Sequence, residues 1–431
     1  MLDIQLIRKD PEFVQTGLAK RGFEVDFADF LALDKERRAL IAETEGLKAE
    51  RNKVSAQIPK IKKEGGDVTA ILAQMKELAT EIKGNDERLA RMDEGQRSFL
   101  DGLPNLPDPE VVAGGKEQNE VWKIYGEKPS FEFEPRHHVD IAERLGLIDY
   151  TRGAKLSGSG FWVYRGDGAR LEWALLNYFI ETHLNDGYEM MLVPHLLNYQ
   201  CGYTAGQFPK FEEDVYWLDV DTEADHRSGQ FLLPTAETAL VNIHKDEILN
   251  AEDLPKKYFA YSPCYRKEAG SYRAEERGMI RGHQFNKVEM FQYTLPEQSD
   301  QAFTELVEKA AKLMEGLGLH HRISKLAAGD CSASMAKTYD VEVWIPSMED
   351  FKEVSSASSA GDYQARRGAI RFRRDGARQT EFVHTLNASG LATSRVLPAI
   401  FEQFQRADGS VMIPEVLRKW MNGQQILRPA R

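Results

Sequence analysis

The sequence is poor in cysteine and has no long apolar segment. Its 431 residues include three cysteines, Cys201, Cys264 and Cys331. That odd number is spread too widely for a disulfide framework or a thiolate zinc site. No apolar run approaches the roughly 18–20 residues that a membrane-spanning helix needs. The N-terminus carries charges early and lacks the apolar centre of a signal peptide, so we expect a cytoplasmic protein with no membrane association.

Several familiar catalytic motifs are absent as well. The sequence has no Gly-x-x-x-x-Gly-Lys-Ser/Thr phosphate loop, no His-Glu-x-x-His metal site and no Gly-x-Ser-x-Gly nucleophile elbow. The sequence therefore gives no support to the enzyme classes that depend on these motifs. What is present is the composition of a globular protein, 42% hydrophobic and 29% charged, with a length that allows two or three domains. The net charge of −12 counts at first sight against a polyanionic partner.

The N-terminal quarter of the chain carries a helical repeat. Aliphatic residues recur at every seventh position of one segment: Leu33, Leu40, Leu47, Val54 and Ile61. Gly65 and Gly66 interrupt this pattern, and Asp67 is placed to cap a second helix. The second helix has two interlocking rows, broken only by Asn85: Val68, Met75, Ile82, Leu89 and Ile71, Leu78, Met92, Phe99. The repeat predicts an antiparallel two-helix coiled-coil arm over about residues 30–99.

The charge of this arm is uneven. Residues 48–63 carry six basic side chains against the single acid Glu50, a local net charge of +5: Lys48, Arg51, Lys53, Lys60, Lys62 and Lys63. Residues 67–94, on the return helix, carry four basic side chains against seven acidic ones. The basic patch permits phosphate binding, but a solvated coiled-coil face accounts for the same charges.

Three prolines within residues 103–109 end the helical pattern, because proline cannot continue a helix. We therefore predict an N-terminal domain at 1–103, a linker at 104–114 and a second domain at 115–431. In the second domain, helical segments at 169–185 and 298–316 alternate with β-rich runs at 189–193, 231–233, 257–262, 287–295, 341–345, 369–373 and 383–386. Their irregular spacing favours an α+β fold with an antiparallel or mixed sheet packed by helices.

Charged residues accompany several of the strand-like runs. Arg266 and Glu268 follow one run, Glu289 lies within the next, and residues 364–378 hold six arginines and one acid. Charges on a packed sheet must be paired or must meet a charged ligand. A surface that combines arginines with carboxylates suits a nucleoside triphosphate and its magnesium ion. Structural ion pairs are the alternative.

The order of these segments along the chain reveals a resemblance. Residues 169–194, 263–290 and 390–417 resemble the three signature motifs of the class II aminoacyl-tRNA synthetases. Within that class the chain is similar to the seryl-tRNA synthetases in its arm and at 233–237, 336–344, 353–356 and 363–367. It departs from the common bacterial pattern at Lys267, at Gly282, and at Thr393 with Ser394. None of these departures removes a charged residue of the motifs.

The resemblance implies an α+β protein whose class II catalytic domain, built on an antiparallel sheet, follows the N-terminal arm. Its implied activity is to make seryl-adenylate from L-serine and ATP, and to transfer the seryl group to the 3′ end of tRNA(Ser), and in this family also of tRNA(Sec). It implies a homodimer formed through the first motif. It also implies that the six basic residues of the arm contact the long variable arm of tRNA(Ser). The implied cofactor is Mg²⁺, bound with ATP by Glu353 and Ser356, and no zinc is expected.

The same resemblance assigns roles to individual residues. Arg266 would bridge the serine carboxylate and the α-phosphate, and Arg395 would hold the β- and γ-phosphates. Phe285 would stack on adenine, and Glu268 would meet its amino group. The ATP-binding set is Arg266, Lys267, Glu268, Phe285, Glu353, Val354, Ser355, Ser356 and Arg395. The serine-binding set is Thr235, Ala236, Glu237, Glu289, Asn387 and Ser389.

Two other functions stay open at this point. A serine-activating paralogue would load another acceptor, such as a carrier protein, and the full helical arm counts against it. An inactive synthetase-like binding protein would need no ATP chemistry. The joint presence of Arg266, Glu289, Glu353 and Arg395 counts against that second alternative.

Overall fold

The computed structural model describes most of the chain: residues 1–218, 229–268 and 278–429. Residues 269–277, within the second motif, lie outside the described residues. The chain forms two compact units, which we call the arm unit and the body. The arm unit comprises Leu2–Thr16 and Glu24–Pro104, and the body comprises Met1, Gly17–Phe23 and Asn105–Arg431.

Two long helices make up most of the arm unit. They are α3 (Ala28–Lys63) and α4 (Thr69–Gly102), preceded in the chain by α1 (Ile4–Lys9) and α2 (Pro11–Ala19). The ion pair Arg37–Asp93 joins an early residue of α3 to a late residue of α4, and Lys48–Asp86 joins residues near the middle of the two helices. The two helices therefore run antiparallel. The predicted helical arm is confirmed, and α3 continues through Pro59.

The core of the arm unit is thin. It buries single apolar side chains at intervals along the two helices: Leu40, Val54, Leu78, Ile82, Met92 and Leu100. Near the start of α3, Phe30 stacks on Phe99 with ring centroids 4.8 Å apart. Asp34, which is fully buried, accepts hydrogen bonds from Arg8 Nε (2.8 Å) and Gln96 Nε2 (3.0 Å). A hairpin with so narrow a seam leaves most of its charged side chains in contact with solvent.

The start of α4 differs from the prediction. The sequence predicts Asp67 as the N-cap, but Val68 holds that position. Asp67 Oδ1 accepts hydrogen bonds from the Thr69 hydroxyl (2.6 Å) and from the Thr69 backbone N–H (2.9 Å). These two bonds hold the pKa of Asp67 below its usual value. The prediction is wrong by one position, although the carboxylate still satisfies a backbone N–H of the first turn.

The body contains the remaining helices and strands of the described residues. Its helices are α5 (His138–Arg144), α6 (Tyr150–Ser157), α7 (Asp167–Asn185), α8 (Tyr199–Ala205), α9 (Glu237–Leu240), α10 (Ser299–Leu317), α11 (Tyr363–Gly368) and α12 (Thr393–Gln403). Its strands are β1 (Glu120–Tyr125), β2 (Ile148–Asp149), β3 (Val163–Tyr164), β4 (Glu189–Met191), β5 (Leu196–Asn198), β6 (Trp217–Leu218), β7 (Gln230–Leu232), β8 (Ile248–Asn250), β9 (Lys256–Tyr265), β10 (Gln284–Thr294), β11 (His321–Lys325), β12 (Lys337–Ile345), β13 (Asp350–Gly361), β14 (Arg371–Arg373), β15 (Glu381–Phe382), β16 (His384–Ala392), β17 (Val411–Met412) and β18 (Ile426–Leu427).

An eight-stranded sheet forms the centre of the body, in the order β1-β11-β12-β13-β16-β10-β9-β4. Neighbouring strands are antiparallel except β4 and β9, which are parallel. Helices α7, α10 and α12 pack apolar side chains against this sheet in the main core. The predicted antiparallel or mixed sheet packed by helices is confirmed, and every predicted strand overlaps an observed one.

Smaller sheets surround the central one, in the orders β5-β7-β6, β15-β14-β8, β2-β3 and β17-β18. A second apolar core joins the first of these to β9 and β10 through Phe231, Tyr258 and Phe291. Among the helices of residues 1–218, 229–268 and 278–429, none is both long and apolar enough to cross a membrane.

Candidate active site

A polar cavity of about 510 Å³ lies on the central sheet. Nine residues assigned from the sequence line it: Thr235, Glu237, Arg266, Glu289, Glu353, Ser356, Asn387, Ser389 and Arg395. A second cavity of about 440 Å³ shares Thr235, Glu237 and Arg266 with the first. It is also lined by Glu268. The structure therefore brings together, in adjoining spaces, residues that are up to 160 positions apart in the sequence, the separation between Thr235 and Arg395.

Strand alternation explains why the polar side chains share one face. On β10, Glu289 lines the cavity while its neighbour Val288 is buried in the main core. On β16, Asn387 and Ser389 line the cavity while Ala388 between them is buried in the same core. Side chains two residues apart on a strand point the same way. Because β10 and β16 pair with Glu289 opposite Ser389, all three polar groups come into one pocket.

Lys287 is a residue of this pocket that the sequence analysis missed. Its Nζ lies 2.5 Å from Glu289 Oε2 and donates a hydrogen bond to Thr235 Oγ1 at 2.6 Å. Glu289 also accepts hydrogen bonds from Asn387 Nδ2 (3.1 Å) and from the Thr235 hydroxyl (3.4 Å). The sequence offered one indication of its place in the pocket: Lys287 stands two residues before Glu289 on the same strand, so the two side chains share a face.

Glu237 is the second carboxylate of the pocket. Burial raises its pKa to about 7, and the negative charge of Glu289 adds to the increase. Its Oε1 accepts a hydrogen bond from Gln364 Nε2 at 2.7 Å, and Gln364 is itself fixed by the Thr385 hydroxyl at 2.6 Å. The pocket therefore holds two acids in unequal surroundings, with Lys287 paired to one of them.

Arg266 is held at the wall shared by the two cavities. Its Nε donates to the Pro234 carbonyl (3.2 Å), and its guanidinium lies 5.2 Å from the centre of the Phe285 ring. Glu268, which has a positive φ of 50°, forms an ion pair with Arg281 at 3.4 Å. These contacts fix the direction of the Arg266 fork and group the predicted adenine-binding side chains around it.

Carboxylates and Arg395 form another wall of the cavity. Arg395 Nη1 donates to the Glu353 backbone carbonyl at 2.7 Å and lies 3.4 Å from the Glu353 carboxylate. Asp340 also lines this wall, and its buried Oδ1 accepts no hydrogen bond from the described residues. Burial and the neighbouring Glu353 raise the pKa of Asp340, whereas the Ser356 hydroxyl opposes the increase. An unpartnered oxygen beside the Glu353 and Ser356 oxygens suits a hard divalent cation.

Three assigned residues lie beneath the cavity instead of lining it. Val354 is buried in the main core. Ser355 is fully buried, and its hydroxyl donates to the Ser389 carbonyl at 2.6 Å. Ala236 is fully buried at the start of α9, next to Glu237. These residues support the strands that carry the lining side chains, and their direct contact with ligands stays a prediction, as it does for Lys267, whose Nζ lies 5.9 Å from the centre of the Tyr216 ring.

Two departures from the bacterial pattern have structural reasons. A Cβ at Gly282 would lie 2.2 Å from Cζ3 of Trp162, so this indole ring leaves no room for a side chain. The Thr393 hydroxyl donates to Glu172 Oε1 at 2.7 Å, and Asn286 Nδ2 donates to the same oxygen at 2.7 Å. Burial raises the pKa of Glu172 to about 7. Thr393 therefore supplies a buried acid of α7 with a donor that an apolar side chain would lack.

Arg21 binds the backbone of a loop that forms part of the cavity wall. Its guanidinium donates to the backbone carbonyls of Asn105 (2.8 Å), Ala328 (3.0 Å), Cys331 (3.2 Å) and Met335. The cavity wall includes three residues of this loop: Asp330, Ser332 and Met335. We call these contacts the Arg21 clasp, and they set the path of the loop through its backbone.

The six basic residues assigned to the arm differ in their surroundings. Lys48 pairs with Asp86 at 2.9 Å, within the hairpin. Arg51 is half-buried. The other four are exposed: Lys53, Lys60, Lys62 and Lys63. Of the six residues, these four lysines would lose the fewest contacts within the protein on binding a charged partner.

A histidine–glutamate cluster lies elsewhere in the body. His137, His138 and Glu402 offer ligand atoms within 4.8 Å of one another. Glu402 already accepts hydrogen bonds from the backbone N–H of His138 (3.0 Å) and of Ser347 (2.8 Å), and its Oε1 lies 2.7 Å from His138 Nδ1. Such a saturated carboxylate is typical of a structural network.

Known proteins resemble the chain over its whole length. Residues 1–107 match the family described as Seryl-tRNA synthetase N-terminal domain, and residues 216–404 match the tRNA synthetase class II core domain (G, H, P, S and T). The chain is 61% identical over 427 residues to Serine--tRNA ligase 2 of Clostridium acetobutylicum, covering 99% of the chain and 100% of the relative. It is 46% identical over 428 residues to Serine--tRNA ligase of Geobacter sulfurreducens, covering 99% of each. Its fold is similar to that of seryl-tRNA synthetase from Pyrococcus horikoshii complexed with ATP, with a TM-score of 0.90 and 35% identity over 100% of both chains.

Proposed function

The chain belongs to the seryl-tRNA synthetases, and from that premise we propose how its own residues activate serine with ATP and charge tRNA. The observation that carries the proposal is the cavity on the central sheet, lined by nine of the residues assigned from the sequence. It combines carboxylates, arginines and hydroxyls in one enclosed space. A zwitterionic amino acid and a polyphosphate need these groups side by side.

In the first reaction a carboxylate oxygen of serine attacks the α-phosphorus of ATP, and pyrophosphate leaves. A carboxylate is already a nucleophile, so this step needs positioning and charge neutralisation more than a general base. Arg266 is suited to hold the serine carboxylate and the α-phosphate together, because its fork can bind two oxygens at once. The hydrogen bond from its Nε to Pro234 orients that fork. Arg395, which lines the same cavity, is suited to the β- and γ-phosphates.

The serine pocket is formed by Thr235, Glu237, Glu289, Asn387 and Ser389. Its two carboxylates offer partners for one ammonium group and one hydroxyl group. Alanine lacks the hydroxyl and would leave a buried acceptor unpaired, which is a strong basis for rejecting it. In the second reaction the terminal ribose hydroxyl of tRNA attacks the carbonyl carbon of the seryl-adenylate, and AMP leaves.

Magnesium fits the carboxylate wall of the cavity. When bound with ATP, the ion supplies charge neutralisation for the phosphates. Glu353 and Ser356 would hold it, and the unpartnered oxygen of Asp340 adds a third hard donor to the same wall. Among the protein's own residues at this wall, Arg395 binds and orients the polyphosphate.

We assign tRNA binding to residues 1–103, a linker role to 104–114 and catalysis to 115–431. The exposed lysines at the tip of the arm suit the phosphates of a long variable arm, which is recognised by shape. A homodimer through α7 is supported by exposed Trp173 and Leu184 on that helix, 53% and 51% accessible. The reaction belongs in the cytoplasm, where tRNA(Ser), tRNA(Sec) and ATP are available.

One pair of assays tests the function. ATP–pyrophosphate exchange is measured with each of the twenty amino acids, followed by charging of total tRNA. Serine-dependent exchange with charging is the expected result. Exchange without charging would favour a paralogue with another acceptor, and the absence of both would favour an inactive binding protein.

A deletion of residues 35–97 tests the assignment of the arm. The shortened protein should retain serine-dependent exchange and lose aminoacylation of tRNA(Ser). Unchanged charging by the shortened protein would refute the role of the arm.

A further inference from the structure

A buried lysine lies among the serine-binding residues with no role assigned to it. Lys287 is 6% exposed, and its ammonium group contacts Glu289 and Thr235 at 2.5 and 2.6 Å. In this pair the side chains are 7% and 1% exposed. A charge so far from water must be neutralised by the groups around it. Lys287 is therefore a fixed positive charge of the pocket.

The lysine changes what Glu289 can accept. A carboxylate has about four lone-pair sites. On Glu289 three are used: Lys287 and Thr235 meet Oε2, and Asn387 meets Oε1. One site is left, and the negative charge is already balanced by the ammonium group of Lys287. A neutral hydroxyl donor completes this set, whereas a second cation would lie beside Lys287.

Glu237 provides the opposite surroundings. Its hydrogen bond comes from the neutral amide of Gln364 at 2.7 Å. Burial and the charge of Glu289 raise the pKa of Glu237 and favour its protonated form, and the charges of Lys287 and Arg266 oppose this increase only in part. An incoming ammonium group would supply the positive charge that this carboxylate needs. The two acids of the pocket are thus suited to two different groups of one amino acid.

We infer that Lys287 determines specificity: by balancing Glu289 it makes that side of the pocket select a neutral hydroxyl and directs the ammonium group of the amino acid to Glu237. The inference rests on the proposed function and deepens it. It means that L-2,3-diaminopropionate, which has an amine where serine has its hydroxyl and is of nearly the same size, is rejected because of its charge. Size alone cannot separate two such substrates.

The central test is the variant Lys287→Met. ATP–pyrophosphate exchange is measured with serine and with L-2,3-diaminopropionate, at a pH that keeps both amines of the latter protonated. We expect kcat/KM for serine to fall about 100-fold, because Glu289 is left as an unbalanced buried charge. The ratio of kcat/KM for diaminopropionate to that for serine should rise at least about tenfold. A merely structural lysine would lower both values together and leave the ratio unchanged.

Two further variants serve as controls. Lys257 on the adjacent strand β9 pairs with Glu305 at 2.7 Å and does not line either of the two cavities described above. Lys257→Met removes a less buried ion pair of the same sheet, with side chains 27% and 26% exposed, and should leave the substrate ratio as it is in the unmodified protein. In the double variant Lys287→Met, Glu289→Gln both charges are gone, so the rise in the diaminopropionate-to-serine ratio should disappear. Persistence of that rise in the double variant would contradict the inference.

The test does not depend on one variant. If thermal denaturation shows that Lys287→Met does not fold, Lys287→Gln takes its place. This variant keeps a donor for Thr235 without the charge and must shift the ratio in the same direction. In the unmodified protein, diaminopropionate should inhibit serine activation at least about tenfold more weakly than alanine, which carries no charge at this position. Equal or stronger inhibition, or an unmoved ratio in a folded variant, overturns the role of Lys287. A lack of serine-dependent exchange in the unmodified protein would instead refute the proposed function.

Discussion

The arm unit and the body both depend on ion pairs, but they place them in different surroundings. Lys48 and Asp86 on the arm have side chains 41% and 49% exposed, whereas Lys287 and Glu289 in the pocket are 7% and 1% exposed. Exposed pairs contribute about 0–1 kcal/mol and are screened by salt. Breaking a buried pair costs several times more, because it leaves a charge without solvent or partner.

This difference suits the two parts to two kinds of ligand. The arm can exchange its solvent contacts for phosphates at little cost, so it is fitted to bind a large charged surface reversibly. The pocket cannot rearrange its charges so freely, and it is fitted to accept one small molecule whose charges match. The following predictions test that contrast, beginning with the largest effect.

Removal of Glu289 is the most severe test of the pocket. Glu289→Ala should reduce serine-dependent ATP–pyrophosphate exchange by about 10³-fold or more, because Lys287 and Asn387 lose their common acceptor. Exchange assays with saturating ATP measure the effect. The exposed Glu315 is a matched control, and Glu315→Ala should keep normal exchange. Near-normal exchange by Glu289→Ala would remove this residue from the pocket.

Replacement of the exposed lysines of the arm should weaken the binding of tRNA and leave serine activation unchanged. With Lys53, Lys60, Lys62 and Lys63 changed to alanine, we expect KM for tRNA(Ser) to rise by roughly tenfold to a hundredfold. The slope of log affinity against log salt concentration should become shallower by about 3. Serine-dependent exchange should not change. The double variant Lys76→Ala, Lys83→Ala on the acidic return helix is the control, and an equal loss there would show that position on the arm is irrelevant.

Glu172 allows the contrast between buried and exposed charges to be measured through the pH dependence of stability. Burial raises the pKa of this carboxyl group from 4.5 to about 7, so the folded protein binds a proton that the unfolded chain has lost. Its contribution to stability is present below about pH 4.5 and falls as the pH rises to about 7, by at most about 3 kcal/mol. Glu172→Gln should remove this dependence and gain stability relative to the unmodified protein between pH 5 and pH 8.

Denaturant unfolding at these two pH values gives the result for Glu172. The exposed Glu81 of the arm is the matched carboxylate. Glu81→Gln should leave the difference between the two pH values unchanged. Parallel pH profiles for Glu172→Gln and the unmodified protein would contradict the buried state of the carboxylate.

The smallest effect is expected for an exposed pair of the arm. Lys48→Met removes the ion pair with Asp86 and should lower the free energy of unfolding by no more than about 0.5 kcal/mol. The difference should shrink further in 1 M salt, where such pairs are screened. A loss of several kcal/mol would mean that the arm depends on its surface charges as strongly as the pocket does.

The sequence is a good guide where structure depends on local pattern. The seven-residue repeat predicts both long helices of the arm, and alternation around Glu289 predicts which side chains of β10 face one way. The same alternation places Lys287 on the face of Glu289, but its burial was not predictable, because a lysine on a strand is ordinarily solvated and only the packing of β10 with its neighbours encloses it. The need for glycine at position 282 arises from Trp162, 120 positions earlier in the chain. Such contacts are set by tertiary packing and leave no periodic trace.

The Arg21 clasp has a consequence for how the protein can evolve. Arg21 binds carbonyl oxygens of the loop, and every type of amino acid has one. Substitutions at the cavity-lining positions Asp330 and Ser332 therefore leave the clasp intact and keep the wall in place. In this loop the side chains can change while the path of the backbone stays the same.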